Sequence, residues 1–216
     1  MEFLLLLGSY LLGSIPFGYL LARAKGVNLL EEGSGGTGAT NVGRVLGKKA
    51  SAIVLTLDVL KGAIPAVLAQ FLFTGDVWGR LSPAEFGLIC GCVAVIGHSA
   101  SPFLKFRGGK GVATGLGMLV GSFWPVAVAV LAVFILSMLL TRIVSLSSLL
   151  GTITMMISGV LLTKSPWFIG VYLIVAITIF YRHRSNIGRL LKGEEKKFSF
   201  GGRQAVAESG GDVGDS

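Results

Sequence analysis

Seven strongly apolar stretches, near residues 3–22, 51–73, 85–100, 111–122, 125–141, 145–162 and 167–182, constrain this chain more than any other feature. Several approach or exceed the length of about 20 residues that carries a helix through a bilayer. In lipid every backbone N–H and C=O must be satisfied internally, which for such segments means helices. The chain is 52% hydrophobic and only 14% charged, where soluble domains carry about 25% charged residues. We therefore read an all-α polytopic membrane protein with about seven transmembrane helices. The first stretch lacks the basic start and small-residue cleavage site of a secretory signal, so it is kept in the fold.

The apolar run from Val112 to Leu140 is long enough for one helix, but Gly115, Gly117, Gly121 and Pro125 punctuate it. Proline interrupts the helical hydrogen-bond ladder, so two helices with a turn at "GSFWP" are expected, the first of them short. Short or glycine-interrupted helices often end at a binding site inside a membrane protein.

The formal net charge is +8, and its distribution speaks to topology. Arg23, Lys25, Arg44, Lys48 and Lys49 fall in the first loop, Lys105, Arg107 and Lys110 in the third, and Arg142 in the fifth. Six more basic residues, Arg182, Arg184, Arg189, Lys192, Lys196 and Lys197, follow the last stretch. The positive-inside rule then puts the N-terminus outside and the basic loops and C-terminus in the cytoplasm. No nucleic-acid partner is expected. Cys90 and Cys92, two apart in an apolar run, do not share a helical face and read as small core residues, not as a disulfide or zinc site. We place the membrane domain at 1–197 and expect 198–216, Gly-rich and polar, to be a disordered tail.

All the polar motifs fall on the basic side. The first, "GSGGTGATNVGR" at 33–44, holds five glycines, three hydroxyl side chains, an asparagine and an arginine. Gly33 to Gly38 formally fits G-x-G-x-x-G, but no buried strand precedes it and Asp58, 20 residues on, lies in an apolar helix, so a dinucleotide site is rejected. The physics of the glycines survives: Gly33, Gly35 and Gly38 let consecutive amides turn toward one anion. Ser34, Thr40 and Asn41 add short-range polar groups, and Arg44 adds a planar fork suited to phosphate oxygens.

The second motif is "HSASPFLKFRGGKGVATG" from His98. Gly108, Gly109, Lys110 and Gly111 open directly into the short helix. Leu104 and Gly111 stand where a Walker A loop needs Gly and Ser or Thr, so this is no ATP loop. A helix N-terminus with glycines and a lysine at its mouth still attracts phosphate by amides, dipole and charge together. In "VSLSS", Ser145, Ser147 and Ser148 begin the next-to-last span and read as caps, packing residues or site residues. In "YRHRSN", His183 and Asn186 share a helical face. Asp58 and Lys61, three apart in the second span, read as a structural ion pair.

Together, "GSGGTGATNVGRVLG", "HSASPFLKFRGGKGVAT", "VSLSS" and "YRHRSNI" resemble, in order and context, the bacterial membrane acyl-phosphate–glycerol-3-phosphate acyltransferases, the PlsY family. The likeness runs from the first helix to about Leu191. It implies seven transmembrane helices in the bacterial cytoplasmic (inner) membrane, with an active site facing the cytoplasm. It implies acyl transfer from acyl phosphate to the 1-hydroxyl of glycerol 3-phosphate, giving 1-acylglycerol 3-phosphate and phosphate. It implies catalytic roles for Ser34, Arg44, Lys110, Ser148, His183 and Asn186, with the two glycine loops cradling phosphate. No metal or other cofactor is implied; the soluble enzyme that makes acyl phosphate is a candidate partner. The family commonly has asparagine where this chain has Gly36, so any role of that side chain must be absent or supplied elsewhere, as by Thr37.

An acyl phosphate is already activated, so the protein mainly has to position the hydroxyl and neutralise two phosphates, a task for Arg44 and Lys110. No Ser–His–acid trio is evident, which argues against an acyl-enzyme. His183 and a substrate phosphate oxygen both remain open as proton acceptor. The alternative, a transporter or channel for an organic phosphate or other anion, would also use broken helices and cationic loops. Against it stands the one-sided placement of the polar motifs.

Overall fold

The computed structural model describes residues 1–198. These residues form ten α-helices: α1 (Glu2–Ser14), α2 (Phe17–Arg23), α3 (Ala39–Leu46), α4 (Lys48–Leu72), α5 (Pro83–Ser99), α6 (Val112–Ser122), α7 (Trp124–Thr141), α8 (Val144–Leu162), α9 (Pro166–Arg182) and α10 (Arg184–Leu191). A 3₁₀ turn, Pro102–Leu104, follows α5, and no strand occurs among the described residues. The expected tail lies outside them except for Phe198, whose N–H donates to the Arg142 carbonyl at 2.6 Å.

Four helices or helix units, α4, α5 with its 3₁₀ turn, α7 and α8, are long and apolar enough to cross a membrane. Counting the bent pairs α1–α2 (41°) and α9–α10 (61°) as one span each raises the number to 6. The seventh expected span is α6. Its 11 residues make a rod of about 16 Å, roughly half the hydrocarbon thickness. Phe123 alone separates it from α7, where the turn at "GSFWP" was expected.

Two features depart from the sequence reading. The first stretch is not one continuous helix but breaks at Ile15–Pro16, because proline cannot donate to the ladder and disfavours the helical conformation of the residue before it. Lys61 Nζ donates to the Ile15 carbonyl at the break, at 3.0 Å. The second departure is α3: half of the first glycine-rich motif is helix, with Gly38 as its N-cap.

Helices cross closely where neither side has bulk, as bilayer-embedded helices must without a hydrophobic force between them. A Cβ on Gly62 of α4 would fall on the Thr114 carbonyl of α6, and one on Gly117 of α6 on the Val59 carbonyl. Gly13 of α1 likewise meets the Ala94 backbone of α5. The largest apolar core joins α5, α6, α7, α8 and α9 through Val95, Met118, Val126, Met155 and Tyr172, among others. At one end, Ser82 and Glu85 form a capping box on α5, and Glu85 also accepts from the hydroxyl of Ser165, the N-cap of α9. That fixes the starts of α5 and α9 together. Their other ends carry the second and fourth motifs to a common face. The two cysteines are buried and free.

Candidate active site

The first loop is organised by Asn41. Its side chain is buried (2% exposed), and its Oδ1 accepts the Ser34 N–H at 2.8 Å. Its amide donates to the carbonyls of Glu32 at 3.0 Å and Gly36 at 2.9 Å, and to that of Leu29 at 3.4 Å. Asn41 is thus a staple for the loop, its own polar atoms turned inward. Gly33 and Gly35 have φ of +66° and +65°, the left-handed region that costs a side chain energy. At Gly33 a Cβ would also strike Asn41 Oδ1. Ser34 is exposed at the loop's surface, while Thr40 and Arg44 are half-buried on α3. α3 has no side-chain cap, so its first amides stay available beyond Gly38.

The second loop is held from two sides. Arg182 Nε donates to the Gly109 carbonyl at 3.0 Å, and its Nη2 donates to the carbonyl of Gly108. The Gly109 N–H donates to the His98 carbonyl at 3.0 Å, so that amide is not offered to a ligand. Gly111, at φ +84°, is the N-cap of α6 and provides no side-chain cap. Two helix N-termini introduced by glycine, those of α3 and α6, therefore supply the polar ends that phosphate oxygens favour. Thr37 of the first loop and Gly108 of the second line one small cavity, which brings the two motifs together.

Lys110 reaches across to the last motif. Its Nζ donates to Asn186 Oδ1 at 2.7 Å. Asn186 Nδ2 donates to Glu195 Oε1 at 2.6 Å, and Ser145 Oγ donates to the same oxygen at 2.8 Å. Arg189 Nε donates to Glu195 Oε2 at 2.7 Å. Burial pushes the Glu195 carboxyl up, but these hydrogen bonds outweigh it and hold it below the ordinary carboxylate value. Burial lowers Lys110 to about 8; Glu195 opposes that, while Arg189, Arg44 and Arg182 add to it. Lys110 thus feels one carboxylate and three guanidinium groups, a surplus of positive charge suited to additional negative charge.

His183 is buried, and its Nδ1 lies 2.8 Å from the Ile179 carbonyl. A carbonyl only accepts, so Nδ1 carries the proton and Nε2 is left as an acceptor. Ser148 is buried and its hydroxyl donates to the Val144 carbonyl of its own helix at 2.8 Å. Among the three serines it is Ser145 that joins the Lys110–Asn186 network. Glu195 was missed from sequence, although a lone "GEEKK" in a basic run was a legible signal. Arg182, which in sequence is one of several basic residues at the end of the last apolar stretch, also belongs to the site through its grip on the Gly108 and Gly109 carbonyls. Among the described residues no group of three or more metal-ligating side chains occurs.

A family model for glycerol-3-phosphate acyltransferase matches residues 3–193. The chain belongs to the glycerol-3-phosphate acyltransferase family. A relative named glycerol-3-phosphate acyltransferase from Nostoc sp. (strain PCC 7120) is 42% identical over 93% of this chain and 92% of its own length. One of the same name from Geotalea daltonii is 40% identical over 91% of this chain and 97% of its own. The crystal structure of PlsY (YgiH), an integral membrane glycerol 3-phosphate acyltransferase in its glycerol 3-phosphate form, superposes with a TM-score of 0.84 at 40% identity, covering 92% of this chain and 96% of that one. Its lysophosphatidic acid form gives 0.82 at 39% identity. This member of the acyltransferase family is accordingly an integral membrane protein, helical without strands over its described residues.

Proposed function

We propose that this protein transfers a fatty acyl group from acyl phosphate to the 1-hydroxyl of glycerol 3-phosphate. The observation that carries the reading is the meeting of two glycine-introduced helix N-termini, Arg44 and Lys110 around one face, in a chain whose solved relative is described in both a glycerol 3-phosphate and a lysophosphatidic acid form. Two phosphates repel unless neutralised, and Arg44, Lys110 and the loop amides supply that neutralisation. The acyl chain lies along the apolar helices, which suits a donor that partitions into lipid.

In the step itself the glycerol 1-oxygen bonds to the acyl carbon, and the bond from that carbon to the phosphate oxygen breaks. The hydroxyl proton leaves with the phosphate, which becomes hydrogen phosphate, so no protein group ends the cycle altered. His183 Nε2 accepts a hydrogen bond from the attacking hydroxyl and orients it. Asn186 and Glu195 hold the Lys110 ammonium in place. Ser34, exposed beside the first loop, donates to a phosphate oxygen. Ser148 shapes the wall of the site from α8. We also place seven spans in the bacterial inner membrane, with the N-terminus outside and the loops of the site in the cytoplasm, in keeping with the basic loops. There the soluble enzyme that makes acyl phosphate would reach it.

The test is Arg44→Ala and Lys110→Ala in purified protein. Each should lower kcat/KM by about 10² or more with the thermal midpoint unchanged. Near-native turnover in either variant would remove that residue from the site.

A further inference from the structure

Behind the glycine–lysine loop lies a second cluster of charged groups, outside the proposed substrate site. The side chains of Lys61 and Asp58 on α4 and of His98 on α5 are only 1%, 4% and 7% exposed. Lys61 Nζ lies 2.9 Å from Asp58 Oδ1 and donates to the Ile15 carbonyl at the α1–α2 break, at 3.0 Å. His98 Nδ1 stands 3.7 Å from the same Asp58 oxygen. The other edge of the imidazole supports the loop. A Cβ on Gly109 would fall against that ring, with Cε1 2.7 Å away, and the His98 carbonyl takes the Gly109 N–H at 3.0 Å. Gly108 passes equally close to the His98 carbonyl. A cavity of about 10 Å³, room for about one water, has Thr37, Asp58, Lys61, His98 and Gly108 among its walls. Both phosphate loops therefore border this cluster.

Stability gives a weak account of it. A buried ion pair is often no better than apolar side chains of equal volume, because desolvation offsets the attraction. The Asp58 carboxylate, 3.7 Å from His98 Nδ1 and so beyond direct hydrogen-bond distance, still attracts that edge of the ring electrostatically, a bias on its orientation that an apolar filler lacks. The loop needs such a support, since its paired glycines leave the backbone beside Lys110 free to wander. Arg182 grips the loop carbonyls on one side, and His98 stands on the other.

We propose that Asp58, Lys61 and His98 form a positioning unit that holds the His98 ring as a fixed support for Gly108–Gly109, and so holds Lys110 at its substrate phosphate. The proposal rests on Lys110 binding that phosphate. None of the three is a catalytic residue; they act through the loop.

The experiment is a set of double-mutant cycles on equilibrium binding, with protein in detergent titrated calorimetrically with glycerol 3-phosphate and, separately, with inorganic phosphate. His98→Ala should weaken binding of at least one anion by about tenfold or more in the native background. In a Lys110→Ala background it should weaken it by less than about twofold, because the lysine it positions is gone. Against Arg44→Ala, on the other loop, the two effects should multiply. A His98→Ala effect that multiplies with Lys110→Ala, or no effect in the native background, overturns the positioning unit. If His98→Ala fails to fold, Asp58→Asn/Lys61→Met, which leaves no unpaired buried charge, is read by the same criteria. If Lys110→Ala alone binds both anions as tightly as the native protein, the phosphate role of Lys110 falls, and the proposal falls with it.

Discussion

The depressed ammonium of Lys110 makes the enzyme's alkaline pH dependence a test of the site. Burial, with Arg189, Arg44 and Arg182 nearby, lowers it to about 8 from the ordinary 10.5, against the pull of Glu195. Only the charged form neutralises phosphate, so activity should be full below that value and be lost as pH rises through it. From pH 7 to 9 the protonated fraction falls by about tenfold, and kcat/KM, which reports the free enzyme, should fall with it. The substrate phosphates titrate on the acid side and do not produce this limb. The assay is phosphate release at subsaturating substrate between about pH 6 and 9.5. Lys110→Arg, which keeps the charge throughout, should flatten the limb whatever its absolute rate. Glu195→Gln removes the one group that raises Lys110 and should move the limb to lower pH. A native profile flat to pH 9.5, or a limb that survives Lys110→Arg unchanged, would refute the assignment of Lys110 as the titrating phosphate ligand.

Other perturbations probe the loops. Asn41→Ala removes the acceptor for the Ser34 N–H and the donor to three carbonyls, so unfolding in detergent should be easier by about 3 kcal/mol; an unchanged midpoint would show that the staple is dispensable. Gly36→Asn restores the residue common in the family, and a Cβ there would meet only Ser34 Oγ, at an ordinary 3.6 Å. It should keep kcat within about twofold and stabilise by about 0.4–1 kcal/mol through the unfolded chain; loss of activity would mean that the open glycine is itself needed. His183→Ala should lower kcat by about 10² or more yet keep the acidic limb of the pH profile. Disappearance of that limb would make His183 the proton acceptor in place of the substrate phosphate.

Much of the architecture is legible in the sequence because lipid leaves apolar segments few choices. The spans near 51–73, 125–141 and 145–162 correspond to α4, α7 and α8, and Gly121 and Pro125 did mark a short α6 ahead of α7. The break at Ile15 was not read, since Pro16 sits in a run whose hydropathy is continuous. Nor was α3, whose Gly43 and polar first turn look like loop until packing against α4 selects a helix. In the site, the sequence pointed to Lys110 and Asn186, which the fold joins by a hydrogen bond across 76 positions. It could not show that Asn41 turns inward, because a buried asparagine and a ligand-facing one have the same letter. Asp58 and Lys61 were read as an ion pair and are one, but their link to the loop through His98 exists only in three dimensions.

The most direct test of the central claim is phosphate release by the purified protein given palmitoyl phosphate with and without glycerol 3-phosphate, with palmitoyl-CoA as the comparison donor. The account predicts release that requires glycerol 3-phosphate and a matching yield of its monoacyl ester, with no turnover from palmitoyl-CoA. Turnover only with palmitoyl-CoA, or phosphate release indifferent to glycerol 3-phosphate, would contradict it.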